Sequence, residues 1–459
     1  MVDKQCGAGF SLRGTSVPLE THAGTCGRRA EDPPQAEACP TFCHCILRTS
    51  IILFAAGWAL AAQDDDTRRR IEATLFVPDP APALAPESYG SFEPTPGVVA
   101  ERISYGTEFG MRIPAILYRP ARAAARKAPG IIVVNGHGGD KYAWYSPYTG
   151  MLYAKAGAFV ITYDPIGEGE RNAERKSVTR QHDIPVPPEE MGRRMGGLMI
   201  NDVRQAVSYL SQRPEVDPSR IAAVGYSMGS FVLGITCAIE TRLHSCVLVG
   251  GGNLDDPGGY WDRSNHTMCQ AIPYKSLMFL GDRGAVLYHL HALRGGTFIF
   301  NGTADGVVTS EALGPQGFFE DLRKRTIAVH GGDKHVFEFG FEPGAGHRPY
   351  FVTRPVALWL ERQLHFPNWT EAAIAKMPET HIGEWARRER VYIEPAYNTE
   401  IREAGVRALG SGIPGVAREQ LNAVPLDRWK RDKDRFVYES WITYAKAATQ
   451  SSLLKGRTP

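Results

Sequence analysis

Hydrophobic positions fall into two regimes along the chain. Val98-Val-Ala-Glu-Arg-Ile-Ser-Tyr105 and Met111-Arg-Ile-Pro-Ala-Ile-Leu-Tyr118 alternate apolar with polar residues around Gly106-Thr-Glu-Phe-Gly110, which predicts a hairpin of two half-buried strands. From Gly130 the apolar residues become continuous. The runs Ile131–Val134, Phe159–Thr162, Ile221–Val224, Cys246–Val249, Thr297–Phe300 and Thr326–Val329 are short and uninterrupted, as expected of strands covered on both faces. Helical spacing separates them, most clearly Met199, Val203, Ala206, Val207 and Leu210 ahead of Pro214. Strands alternating with helices require a mostly parallel, doubly covered sheet, so the fold class is α/β, with its site at the carboxyl ends of the strands.

The same pattern divides the chain. Residues 1–62 end in an apolar stretch, Ile51–Ala62, preceded by Arg48 and followed by Gln63 and Asp64–Asp66. At 12 residues it is short for a membrane span of about 20 and reads as a secretory signal (segment 48–62), with small residues at Ala59 and Ala61 for cleavage. Residues 1–46 then lie upstream of it, as a misassigned start or as part of an uncleaved anchor. The expected location is secreted or periplasmic, with no stable membrane span after signal removal. Residues 63–97, rich in proline between Pro78 and Pro96, are expected to form an extended arm. Residues 98–365 form the main domain, with insertions at 164–194 and 250–296, and 366–459 form a helical extension packed on it.

Charge narrows the partners. With 52 Lys+Arg against 50 Asp+Glu the formal net charge is +2, and no cluster of basic residues suits a phosphate backbone, so no nucleic-acid partner is expected. Five cysteines, Cys6, Cys26, Cys39, Cys43 and Cys45, precede the apolar stretch; only Cys237, Cys246 and Cys269 follow it. Export permits a disulfide among those three without requiring one. Cys39, Cys43, His44 and Cys45 lack the second spaced pair of a zinc module, and no metal or cofactor is called for.

Chemistry gathers at the strand ends. Ile221–Val224 runs into Gly225-Tyr-Ser-Met-Gly229 and an apolar helix, so G-x-S-x-G occupies a strand-turn-helix corner that projects Ser227 above the sheet at a helix N-terminus. A serine hydroxyl needs a base to take its proton, and the base needs an orienting acid. Asp305 follows strand Thr297–Phe300 in Asn301-Gly-Thr-Ala-Asp305. His347 lies in the glycine-rich loop Gly344-Ala-Gly-His347 ahead of the helical stretch Arg354–Leu364. His330 and His335 compete with His347, and Asp255 and Asp256 rank behind Asp305. The backbone N–H groups of His137, in Asn135-Gly-His-Gly-Gly139 after strand Ile131–Val134, and of Met228 are assigned as oxyanion donors. Gly138, Tyr226, Tyr260 and Trp261 are assigned to the substrate pocket. The mixed-charge segment from Asp164 to Arg194 reads as a solvated loop, and Leu277–Leu293 as a helix.

Taken in order, Asn135–Gly139, Gly225–Gly229, Asp305 and His347 resemble the α/β-hydrolase superfamily over about Val98 to Leu364. Asp164-Pro-Ile-Gly-Glu-Gly-Glu-Arg171 and Arg213-Pro-Glu-Val-Asp-Pro-Ser-Arg-Ile221 are similar to the bacterial acetyl xylan esterase, dienelactone hydrolase and prolyl oligopeptidase group. The resemblance implies an α/β-hydrolase fold and a secreted serine hydrolase forming an acyl-enzyme on acetylated sugars, small esters or peptides. The elbow departs from the Gly-Gly-Ser-Gln-Gly of acetyl xylan esterases, and Ser227 stands where dienelactone hydrolases carry cysteine. The expected partner is therefore a small-molecule or carbohydrate ester. A peptidase or amidase, or a non-catalytic binding module on the same fold, are the alternatives.

Overall fold

The computed structural model describes residues 61–122, 126–264, 268–308, 314–393, 405–410 and 412–455. Most of the signal-like segment, and all of Cys39–Cys45, lie outside them. The sheet is built from β1 (Glu87–Thr95), β2 (Val98–Gly106), β3 (Arg112–Pro120), β4 (Ala128–Val134), β5 (Phe159–Tyr163), β6 (Val216–Tyr226), β7 (Ser245–Val249), β8 (Thr297–Gly302) and β9 (Glu338–Glu342). Their spatial order is β1-β2-β3-β5-β4-β6-β7-β8-β9. β1, β2, β3 and β5 pair antiparallel, and every pairing from β5 across to β9 is parallel. The expected hairpin is β2 with β3, registered from Val98 opposite Pro120 to Gly106 opposite Arg112.

Burial explains why the parallel strands read as continuous apolar runs. Every residue of β4, β5 and β7 is buried. In β4, Ile132 and Val134 pack into one layer and Ile131 and Val133 into the other, following the two-residue pleat. The first layer holds helices α2 (Glu190–Ser211), α3 (Met228–Ile239), α4 (Arg283–Ala292) and α5 (Gly314–His330). The second holds α1 (Tyr145–Lys155) and α6 (Arg354–Leu364). A disulfide joins Cys237 of α3 to Cys246 of β7, and Cys269, outside that pair, is buried.

Several sequence expectations give way. Thr326–Val329 is not a strand but the end of α5, where Phe319, Leu322 and Thr326 are buried at helical spacing; a β-branched run at a helix end mimics a strand locally. The strand beside β8 is β9 instead, with Phe339 and Phe341 packed on the core. Residues 63–97 are not an extended arm throughout, since residues 61–74 are helical and Glu87–Thr95 is the edge strand β1. Leu277–Leu293 breaks at Gly281, with Asp282 capping α4 through Ala285 N–H.

Of the Asp164–Arg194 segment, Asp164–Asn172 is not a solvated loop, whereas Glu174, Lys176 and Arg180 are exposed as expected. Asp164, Glu168, Glu170 and Arg171 are fully buried; Asp164, Glu170 and Arg171 are neutralised by charged partners, while the Glu168 carboxyl accepts from Thr179 N–H at 3.0 Å and Arg180 N–H at 2.6 Å. Lys141 Nζ pairs with Asp164 and, at 2.8 Å, with Glu170; Arg175 reaches Glu170 at 2.9 Å, and Arg171 pairs with Asp202. A buried charge is tolerated only when paired in this way. Beyond residue 365 the chain includes a small two-stranded sheet, β10 (Glu379–His381) and β11 (Arg407–Leu409), besides helices such as α7 (Tyr438–Lys455). It is anchored by buried indoles: Trp429 Nε1 donates to Glu170 O at 2.8 Å and Trp441 Nε1 to the Glu108 carboxylate.

Candidate active site

The corner after β6 is built by close backbone approach. A Cβ on Gly225 would stand 2.5 Å from Gly229 O, and one on Gly229 would stand 2.2 Å from Val134 O, so neither position accepts a side chain. Between them Ser227 is held at φ 53° and ψ −114°, a sparsely populated conformation for a residue with a Cβ. Its amide donates to Val249 O of β7 at 3.0 Å, which fixes the corner to the sheet.

His347 reaches back over this corner from the loop after β9. Its Nε2 lies 2.9 Å from Ser227 Oγ, and its Nδ1 lies 2.9 Å from Asp305 Oδ2 and 3.1 Å from Oδ1. Asp305 stands just past β8 and is buried, while the His347 side chain keeps 20% exposure and so stays in contact with the cleft. Asp305 Oδ1 also accepts from the backbone N–H of Val307 at 2.9 Å and Val308 at 3.2 Å. Burial works to raise its pKa, but His347 and these two amides together outweigh it, and the carboxyl stays below its ordinary value. An ionised carboxylate can only accept, so the imidazole proton resides on Nδ1 and the lone pair of Nε2 faces the serine hydroxyl. Tyr226 holds the ring from the other side: its hydroxyl donates to His347 O at 3.2 Å, with ring centroids 5.0 Å apart.

The loop after β4 runs alongside. Asn135 Nδ2 donates to Tyr163 O at 2.9 Å, Gly139 N closes a turn onto Gly136 O at 2.9 Å, and a Cβ on Gly136 would stand 3.1 Å from that of Ser227. This brings the backbone around His137 beside the serine. Met228 opens α3, where the first N–H groups have no acceptor within the helix and point toward negative charge.

Ser227 opens onto a cleft of about 310 Å³ whose walls include His137, Arg180, Phe231, Gly251, Trp261 and Gln270. Trp261 is 7% exposed and packs on Phe231 at 4.6 Å between ring centroids, so it serves the core as much as the cleft; Tyr260 is 42% exposed. Gly138 does not line this cleft. It borders a neighbouring one, also of about 310 Å³, with Tyr142, Trp144 and Arg418. The competing residues point elsewhere. Asp255 accepts from Trp261 N and faces Arg283, and burial pushes it up to about 6. His330 contacts His289 at 3.0 Å. Asn301 is buried and exchanges two hydrogen bonds with Gly251. Arg180 comes from the mixed-charge first insertion; Phe231 and Gln270 carry no sequence signal as lining residues, because each comes from a segment whose distance from Ser227 only the fold sets, although Gly250-Gly-Gly252 at the end of β7 is a visible sign of close backbone approach.

The prolyl oligopeptidase family model matches residues 189–370. A Bacillus subtilis (strain 168) protein named "Putative hydrolase YtaP" is 27% identical over 171 residues, 33% of this chain, and the match spans about half (55%) of that protein's own length. Among solved structures, Acetyl Xylan Esterase 1 from Thermoanaerobacterium sp. JW/SL YS485 is 17% identical, with a TM-score of 0.45 over 65% of this chain and 92% of that one. Methylesterase BT1017 is 17% identical, with a TM-score of 0.49 over 75% of this chain and 71% of that one.

Proposed function

We propose that this chain, a serine hydrolase on an α/β-hydrolase fold, cleaves carboxylic esters through an acyl-enzyme. One observation carries the reading: Ser227 Oγ lies 2.9 Å from a His347 Nε2 whose opposite nitrogen is held by the ionised Asp305, at the mouth of an open cleft. Ser227 attacks the carbonyl carbon as its proton passes to Nε2, and Asp305 stabilises the imidazolium that results. The negative charge moves to the carbonyl oxygen, where the N–H groups of Met228 and His137 receive it; each such donor is worth about 10²- to 10³-fold in rate. His347 then gives the proton to the leaving alcohol. Water repeats the sequence in reverse and frees the acid.

The ester reading is preferred over amide cleavage because the cleft, about 310 Å³, lies at the small end of ligand pockets, which suits a compact acyl group or a sugar better than an extended peptide. Tyr260, exposed at its rim, supplies a face for a sugar ring. The family match at 189–370 favours a second reading, a peptidase or amidase using the same residues. The proposed location is outside the cytosol, supported by the Cys237–Cys246 disulfide and by the apolar stretch Ile51–Ala62. Among the described residues no helix is long and apolar enough to cross a membrane.

The test is covalent. A fluorophosphonate should label the parent and not Ser227→Ala, and Ser227→Ala should keep its fold while losing turnover of p-nitrophenyl acetate; residual turnover near the parent's ends the assignment. A series of acetyl esters, longer acyl esters and peptide amides then separates the two readings.

A further inference from the structure

Three potential ligands that stand far apart in the chain meet beside the loop that carries His137. His182 belongs to the short turn Gln181–Asp183 in the first insertion, and Cys269 to the second, just ahead of the helix Ala271–Ser276. One donor atom from each of His137, His182 and Cys269 lies within 4.8 Å of the other two. His137 Nε2 is 3.2 Å from Cys269 Sγ, and Asp183 Oδ1 is 3.7 Å from each of these atoms. A tetrahedral cation with nitrogen and oxygen at about 2.0–2.1 Å and sulfur at about 2.3 Å requires ligand-to-ligand edges of about 3.3–3.6 Å. The edges among His137 Nε2, Cys269 Sγ and Asp183 Oδ1, 3.2–3.7 Å, bracket that span, and the His182 donor lies within 4.8 Å of those of His137 and Cys269.

The condition of His182 is an independent sign. The residue is fully buried, and its Nδ1 lies 3.0 Å from the carbonyl oxygen of Ile166, a contact that only an N–H can make. The proton therefore sits on Nδ1 and Nε2 keeps its lone pair. Among the described residues that buried lone pair has no hydrogen-bond partner. Buried acceptors are seldom left so. A backbone carbonyl holding the far nitrogen is also how ligand imidazoles are oriented toward a metal.

We infer that His137, His182 and Cys269, with Asp183 Oδ1 as fourth donor, form a closed site for a soft divalent cation of the zinc class. Two imidazoles and a thiolate suit zinc and disfavour magnesium and calcium, which seek oxygen. Asp183 Oδ2 is already paired with Arg180, which leaves Oδ1 as a single donor. Binding releases the Cys269 proton to solvent; the thiolate and the carboxylate then cancel the charge of the ion, so burying it is not penalised. With four protein donors the site is structural and holds no attacking water. Its role is positional: it ties the His137 loop to both insertions at the wall of the cleft.

This inference does not rest on the esterase reading, because metal uptake is measured without substrate. The full chain, reduced, stripped with chelator and desalted, is titrated with Co²⁺. The expected result is an equivalent of cobalt with thiolate charge-transfer and tetrahedral d–d bands, displaced by Zn²⁺, in the parent and in Ser227→Ala, and absent from Cys269→Ser and His182→Gln. Cys6, Cys26, Cys39, Cys43 and Cys45, together with Cys237 and Cys246 once their disulfide is reduced, are a separate source of thiolate, so the quantity read is the difference between parent and variant. A titration identical in the parent and Cys269→Ser, or in the parent and His182→Gln, overturns the site. Should a variant not fold, thermal melting of the stripped parent decides: Zn²⁺ raises the midpoint if the site exists, and an unmoved midpoint overturns it.

Discussion

Asp305→Asn isolates the proton on His347 from everything else in the site. Asp305 Oδ1 accepts from Val307 N–H and Val308 N–H, so in the variant the amide oxygen must take that position to keep both bonds. The amide nitrogen then occupies the place of Oδ2, 2.9 Å from His347 Nδ1, and it can only donate. The oxygen 3.1 Å from Nδ1 already holds two N–H groups, so Nδ1 accepts from the nearer amide nitrogen, the imidazole proton moves to Nε2, and the nitrogen 2.9 Å from Ser227 Oγ has no lone pair with which to take the hydroxyl proton. The geometry survives while the tautomer is wrong. In serine hydrolases this change is worth about 10⁴-fold in kcat, or about 5 kcal/mol of transition-state stabilisation. The substitution is isosteric and keeps both backbone hydrogen bonds, so unfolding free energy should change by no more than about 1.5–3 kcal/mol, the size of one hydrogen bond to a charged group. Stopped assays with p-nitrophenyl acetate at neutral pH, beside urea melts of both proteins, measure the two quantities. A loss of less than tenfold in kcat, with the fold intact, would refute the role given to Asp305.

Two further outcomes follow from local geometry. Gly250 has φ +58°, and a Cβ there would stand 2.9 Å from His347 Cε1 and 3.0 Å from Tyr226 Cε2; Gly250→Ala should displace the imidazole and lower kcat/KM by about 10- to 100-fold, and an unchanged kcat/KM would contradict the packing described. Glu108 is pushed from its ordinary 4.5 to about 7 by burial, against the Trp441 indole N–H that favours its charge. A carboxyl raised in this way favours the folded state below pH 4.5 and loses that contribution as pH rises through 7, at most about 3 kcal/mol in all. Glu108→Gln should therefore match the parent in urea melts at about pH 4.5 and exceed it at about pH 8.5. A difference between the two proteins that stays constant with pH would remove burial of a titrating carboxyl as the cause.

The residue pattern by itself determined the inner strands of the sheet, though not its edges β1 and β9. Continuous apolar runs mark doubly covered strands wherever a strand lies in the middle of the sheet, as β4 and β7 do, because burial on both faces leaves no polar position to confuse the period. Gly225 and Gly229 announce their corner because no other residue fits the backbone there. The reading failed where local pattern and tertiary environment part company. Thr326–Val329 looked like a strand but ends a helix, and Asp164–Arg171 looked solvated but is buried. In the second case the deciding groups are Lys141 and Asp202, and a charge is hidden or exposed according to partners that sequence distance does not reveal. The same reason separates the two constellations around Ser227. Asp305 and His347 follow strands in chain order, so topology predicts their approach to the serine. His137, His182 and Cys269 come from a turn and two insertions with no common periodicity, and only the folding of those segments over the cleft brings an imidazole nitrogen to 3.2 Å from a thiol.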